Sequence, residues 1–208
     1  MNTEITFVLD SSGSMDVIKD DIISGFNGFL DDQRADDGVA TVTLYEFDAH
    51  VECVFRGRPL KDAPRLSEGT YVPGGSTALH DAIYTAVTET DSRVSEADTT
   101  PDNVVIVVFT DGKENASETP RDRVREEVKS RRRELGWEFL FIGANQDAAL
   151  TAETMGMTRD RSLRMAHSGE GARAAFESTS EQVRNVRREG RTDGFTDADR
   201  RRQEDASE

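Results

Sequence analysis

The chain is a succession of short apolar runs and longer segments with helical spacing, joined by loops rich in Gly, Ser, Thr and Asp. Ile5 to Leu9 is an apolar run that reads as a strand, and the amphipathic segment Val17 to Leu30 reads as the helix after it. Ala40 to Phe47 alternates and turns through Asp48-Ala49-His50 into Val51 to Phe55, which predicts an antiparallel hairpin at one edge of a sheet. Leu79, Ala82, Ile83, Ala86 and Val87 share one face of a helix that begins near Ala78. Asn103 to Phe109 is a near-continuous β-branched and aromatic run, the pattern of a parallel strand buried on both sides.

The second half continues the alternation. A helix begins at Thr119-Pro120, with Thr119 as cap and Pro120 in the first turn, and stops at Gly136. Trp137 to Gly143 is the next strand. A short helix runs from Gln146 to about Met155 with Gly156 ending it, and a final edge strand falls near Leu163. Gly169 to Arg188 is a long helix with Ala172, Ala175, Phe176, Thr179, Val183 and Val186 at helical spacing. Residues 190–208 are charged and poor in apolar side chains, so a disordered tail is expected there, after a domain over residues 1–189. Strands alternating with helices predict a doubly wound, Rossmann-like α/β sandwich of three layers, its sheet mostly parallel with one antiparallel edge strand.

Composition narrows the function classes. With Asp plus Glu at 41 against Lys plus Arg at 26, the formal net charge is -15, which disfavours binding to a phosphate backbone; no nucleic acid is expected as a partner. Acidic residues spread along the chain, and the preference for Arg over Lys, point to a halophilic protein that keeps its charge soluble in a salt-rich cytoplasm. No apolar run approaches the length of a membrane span, and the N-terminus enters a strand almost at once, so the expectation is a cytoplasmic protein without a signal peptide. Cys53 is the one cysteine, which excludes an internal disulfide and a cysteine zinc cage and suggests a core-filling role.

The candidate chemistry lies where strands end. Asp10, Ser12 and Ser14 form an Asp-x-Ser-x-Ser motif on the loop after the first strand, a carboxylate and two hydroxyls suited to a hard cation. Asp111 follows the 103–109 strand in Thr110-Asp111-Gly112, and Thr77 closes the loop Pro73-Gly74-Gly75-Ser76-Thr77 ahead of a helix. Each has a plainer use, Ser12, Ser14 and Thr77 as helix caps and Asp10 and Asp111 as acceptors for loop amides. Their joint arrival at one sheet edge favours the metal. Asn145, Gln146 and Asp147 should rim the same edge. His80 reads as a surface residue, Asp81 as a first-turn charge favourable to the helix dipole, and His50 and His167 show no ligand spacing.

In these residues the chain resembles the von Willebrand factor type A family. Its metal-ion-dependent adhesion site combines Asp-x-Ser-x-Ser, a Thr from a mid-chain loop and an Asp after a later strand, and Asp10, Ser12, Ser14, Thr77 and Asp111 match in that order. The resemblance spans about residues 3–165 and is nearest to compact, stand-alone prokaryotic members. It implies a module without enzymatic activity that holds Mg2+, with Mn2+ or Ca2+ as substitutes. It implies that Ser12, Ser14 and often Thr77 coordinate directly, while Asp10 and Asp111 act through water. A partner protein would then complete the site with a Glu or Asp carboxylate. Such domains often serve AAA+ ATPase or chaperone-like systems, stress-response modules or larger surface assemblies, and nothing in these residues selects among them.

Two rival readings come from the residues themselves. In a phosphatase of the haloacid-dehalogenase type, Asp10 would be the nucleophile and Lys113 a phosphate clamp. That mechanism wants an acid two residues after the nucleophile, where this chain has Ser12. In the other, the metal is purely structural and staples three loops together.

Overall fold

The computed structural model describes residues 1–144 and 147–207; the expectation that Asn145 and Gln146 rim the metal edge lies outside the described residues. A six-stranded sheet forms the centre. Its strands are β1 (Asn2–Asp10), β2 (Val39–Phe47), β3 (Val51–Pro59), β4 (Asn103–Thr110), β5 (Glu138–Gly143) and β6 (Ser162–Arg164), in the spatial order β3-β2-β1-β4-β5-β6. All neighbours are parallel except β2 and β3, which pair antiparallel at one edge with register shifts between Val42 and Tyr45. The fold is therefore the doubly wound α/β sandwich expected from the sequence.

Strand β1 shows why the middle of the sheet is apolar on both sides. Ile5, Phe7 and Leu9 point into one core, shared with α1 (Lys19–Arg34), while Val8 points into the other, shared with α2 (Leu79–Glu96). The first core also takes α5 (Gly169–Glu189), and the second takes α3 (Arg121–Glu134) and α4 (Ala148–Thr154). Phe7 meets Phe26 and Phe29 edge-on at 5.3 Å, and Phe176 of α5 stacks on Phe109 at 4.5 Å. Gly25 lets α1 approach so closely that a Cβ there would collide with the Phe176 ring. This packing clamps the strand ends that carry the polar loops.

Several boundaries differ from the sequence reading. A 3-10 helix, Gly13–Ile18, precedes α1. Thr119 does not cap α3; its N–H donates to Asp81 Oδ1 at 2.8 Å, and no side chain caps that helix. On the basic face of α3, Arg131 meets Glu127 at 2.7 Å and Asp91 at 2.8 Å. Cys53 is half-buried and free.

The expected disordered tail is corrected. Residues Asp197–Asp205 form α6, opened by a capping box in which Thr196 Oγ1 accepts from Asp199 N–H and Asp199 accepts from Thr196 N–H. Phe195 is buried in the first core, Ser178 donates to Asp199 Oδ1 at 2.7 Å, and Gln203 accepts from Ala166 N–H at 2.8 Å. Composition missed this helix because it docks through buried hydrogen bonds and a single aromatic ring rather than through an apolar face.

Candidate metal centre

The strand order sets the place. Leaving β1, the chain winds outward to β2; α2 and β4 begin the winding in the opposite direction, and such a switch opens a crevice at the carboxyl ends of the two central strands. Asp10 ends β1 and Asp111 follows β4, so the crevice lies between them. The Thr77 loop closes the third side. Gly74 N–H donates to Ser11 O at 2.8 Å, Gly13 N–H to Gly75 O at 3.2 Å, and Asn115 N–H to Thr77 O at 3.1 Å.

Within the crevice the side chains form a chain of contacts. Asp10 is fully buried; its Oδ1 accepts from Ser12 N–H at 2.7 Å and its Oδ2 from the Thr110 hydroxyl at 2.5 Å. Ser12 Oγ lies 3.3 Å from Ser14 Oγ, and Ser14 Oγ donates to Asp111 Oδ1 at 2.6 Å. Thr77 is buried beside Gly112, where an added Cβ would stand 2.8 Å from Thr77 Oγ1 and 3.4 Å from Asp10 Oδ2. The residues singled out in the sequence thus come together, with Ser14 exposed at the mouth.

The arrangement gathers two buried carboxylates with incomplete compensation. Burial raises the Asp10 carboxyl above its ordinary pKa; hydrogen bonds from Ser12 and Thr110 oppose that rise and the charge of Asp111 adds to it. The Asp111 side chain is only 1% exposed, and its Oδ2 is buried with no hydrogen-bond donor. Among the described residues, no three His, Cys, Asp or Glu side chains gather as a metal cluster. The donor set is instead carboxylates bridged by hydroxyls, oxygen chemistry that fits Mg2+, Mn2+ or Ca2+.

Sequence reasoning missed the supports. Tyr71 donates its hydroxyl to Asp10 O at 2.6 Å, and Asn115 Oδ1 accepts from Thr77 N–H at 2.9 Å. Glu114 accepts from the N–H groups of His80, Ala116 and Ser117. Burial works against its charge, yet those bonds hold its carboxyl below the usual value. His80 is not the surface residue expected; its side chain is 17% exposed and lies 3.9 Å from Glu114. Asp81 does more than complement the helix dipole, because it accepts from Glu118 and Thr119 N–H and so ties the 111–119 loop to α2. Asp147 is exposed, and His50 is exposed beside Asp48. His167 shows no ligand spacing in the sequence, yet its Nε2 lies 2.7 Å from Asp111 Oδ2. No local spacing could have revealed it, since the contact joins loops after β4 and β6.

The profile of the von Willebrand factor type A domain matches residues 4–188. No curated protein sequence matches the chain significantly. Among solved structures, proximal thread matrix protein 1 of the mussel byssus, with a zinc-occupied MIDAS motif, superposes with a TM-score of 0.61 at 16% identity, over 85% of this chain and 46% of its own. A von Willebrand factor type A protein from Catenulispora acidiphila gives 0.59 at 15% identity, over 88% and 43%. The manganese-loaded TRAP protein of Plasmodium vivax gives 0.53 at 19% identity, over 73% and 63%. The chain spans less than half the length of the first two, and at these identities the likeness is one of fold.

Proposed function

The chain belongs to the von Willebrand factor type A family, and from that premise we propose that it is a metal-dependent protein-binding module rather than an enzyme. Asp10, Ser12, Ser14, Thr77 and Asp111 are its metal-ion-dependent adhesion site, holding Mg2+ or, in its place, Mn2+ or Ca2+. The observation that carries this reading is the buried Asp111 Oδ2, an anionic oxygen with no hydrogen-bond donor, in a crevice it shares with a second buried carboxylate. A cation held by Asp10, Ser12, Ser14, Thr77 and Asp111 would supply positive charge against that oxygen and a Lewis-acidic position for a carboxylate from a partner protein. The neutral hydroxyls of Ser12, Ser14 and Thr77 leave that cation short of negative charge, so the partner's Glu or Asp is attracted rather than repelled.

The surroundings support a protein partner. Val17, in the 3-10 helix that carries Ser14, and Val72, on the loop ahead of Thr77, are exposed, and apolar side chains on the segments that bear a charged anchor suit a protein interface. Among the described residues no helix is long and apolar enough to cross a membrane. The cytoplasm is the proposed setting, with AAA+ ATPase or chaperone-like assemblies as one class of partner.

Two observations weigh against the phosphatase alternative. Ser12 stands where the leaving-group acid is required, and Lys113, the would-be phosphate clamp, is exposed. The test is capture on immobilised protein in high potassium chloride, with release by chelator. Wild type should release a discrete partner, and Asp111→Ala should capture none while keeping its circular dichroism. Unchanged capture by Asp111→Ala would sink the proposal. A mutant that loses thermal stability but no partner would leave the metal as a staple.

A further inference from the structure

We propose that His167 is an additional ligand of this metal site, a nitrogen donor that shifts its preference from magnesium towards zinc. The inference rests on the metal-site reading above and adds a residue from a fourth loop. His167 Nε2 lies 2.7 Å from Asp111 Oδ2, yet that oxygen has no hydrogen-bond donor: the imidazole N–H is not directed at it. Two electron-rich atoms held that near without a proton between them repel, unless a cation lies against both. Donors bound at about 2.1 Å around one ion stand about 3 Å apart at the right angles of a six-coordinate site and about 3.4 Å apart at tetrahedral angles. The 2.7 Å between His167 and Asp111 is nearer the six-coordinate spacing, a geometry in which zinc and magnesium can both be held.

The position of His167 is built rather than incidental. On its N-terminal side, Met165 N–H donates to Gly143 O at 2.9 Å, and Ala166 N–H donates to Gln203 Oε1 at 2.8 Å. On its C-terminal side, Ser168 accepts from Gly171 N–H as the cap of α5, and its hydroxyl donates to Ala206 O at 3.1 Å. Gln203 Nε2 also donates to Gly171 O at 3.1 Å. Two helices therefore fix the residues on either side of a half-exposed imidazole that lies against a buried carboxylate. Gly171 belongs to the same device, because a Cβ there would collide with Ala166 O.

Imidazole favours zinc and other late divalent ions over magnesium and calcium, which prefer all-oxygen sets. The experiment is calorimetric titration of wild type, His167→Ala and Asp111→Ala with zinc and with magnesium, plus visible absorption after cobalt substitution. The expected result is that His167→Ala binds zinc about tenfold or more weakly, changes its magnesium affinity less than about twofold and alters the cobalt spectrum. Equal losses for both metals, or no loss for either, would overturn the nitrogen-donor assignment. The inference and the site reading fail separately: if Asp111→Ala keeps full affinity for every metal, the site reading itself is wrong. Melting temperatures without metal should match between wild type and His167→Ala, since the ring is half-exposed.

Discussion

Tyr71 holds the backbone carbonyl of Asp10 through a 2.6 Å hydrogen bond, which ties the loop ahead of Thr77 to the residue that ends the first strand. Its ring is fully buried against the first core, and burial pushes the phenol's pKa up, so it serves as a neutral donor.

Tyr71→Phe leaves the ring in place and removes the donor. The fold should lose about 1–3 kcal/mol, the cost of a buried carbonyl left unpaired. Metal affinity should fall as well, because Asp10 loses its anchor. Chemical denaturation and metal titration of the variant check both. Full stability would mean that water takes over the bond.

Gly112→Ala addresses the site from another side. Its Cβ would stand 2.8 Å from Thr77 Oγ1 and 3.1 Å from Thr77 Cγ2, so the Thr77 side chain must move. Metal affinity should fall about tenfold or more, while the melting temperature without metal drops by only a few degrees. Paired calorimetry and melting curves separate the two effects.

Glu46 carries a pH dependence. It lies on β2 directly opposite Glu52, and its Oε1 is buried without a partner. Burial, with Glu52 adding to it, raises its pKa from 4.5 to about 7. Below the lower value both folded and unfolded chains are protonated and nothing is lost. As pH rises towards about 7 the unfolded chain ionises first, so stability falls, and above that the penalty is complete, at most about 3 kcal/mol. Glu46→Gln should therefore raise the melting temperature at pH about 8 and leave it nearly unchanged at pH about 4. An equal gain at both values would refute the assignment.

Phe195 tests the order of the C-terminal segment. Its side chain is buried in the first core just before α6. Phe195→Ala should cost about 3 kcal/mol in urea denaturation, whereas a disordered tail would give no change.

Net charge makes a prediction of its own. At -15, self-repulsion works against the compact state, and salt screens it. Melting temperature should climb as potassium chloride rises towards molar concentrations, and a flat curve would remove the halophilic reading.

The sequence by itself determined the alternation of elements, because strand and helix periodicities are local. Ile5 to Leu9 and Asn103 to Phe109 could be buried only as central strands, and once they are parallel neighbours, Asp10 and Asp111 must share a sheet edge. Asp10, Ser12, Ser14, Thr77 and Asp111 were legible for that reason. What only the tertiary structure decided are contacts between segments far apart in the chain. Tyr71 reaches Asp10, Gln203 fixes the loop beside His167, and His167 approaches Asp111 because packing of α5 and α6 brings those loops to the crevice. Hydrophobic periodicity encodes which face of an element is buried. It does not encode which polar side chain, arriving from a distant loop, finds a partner there, and that is set by the distances that close packing leaves.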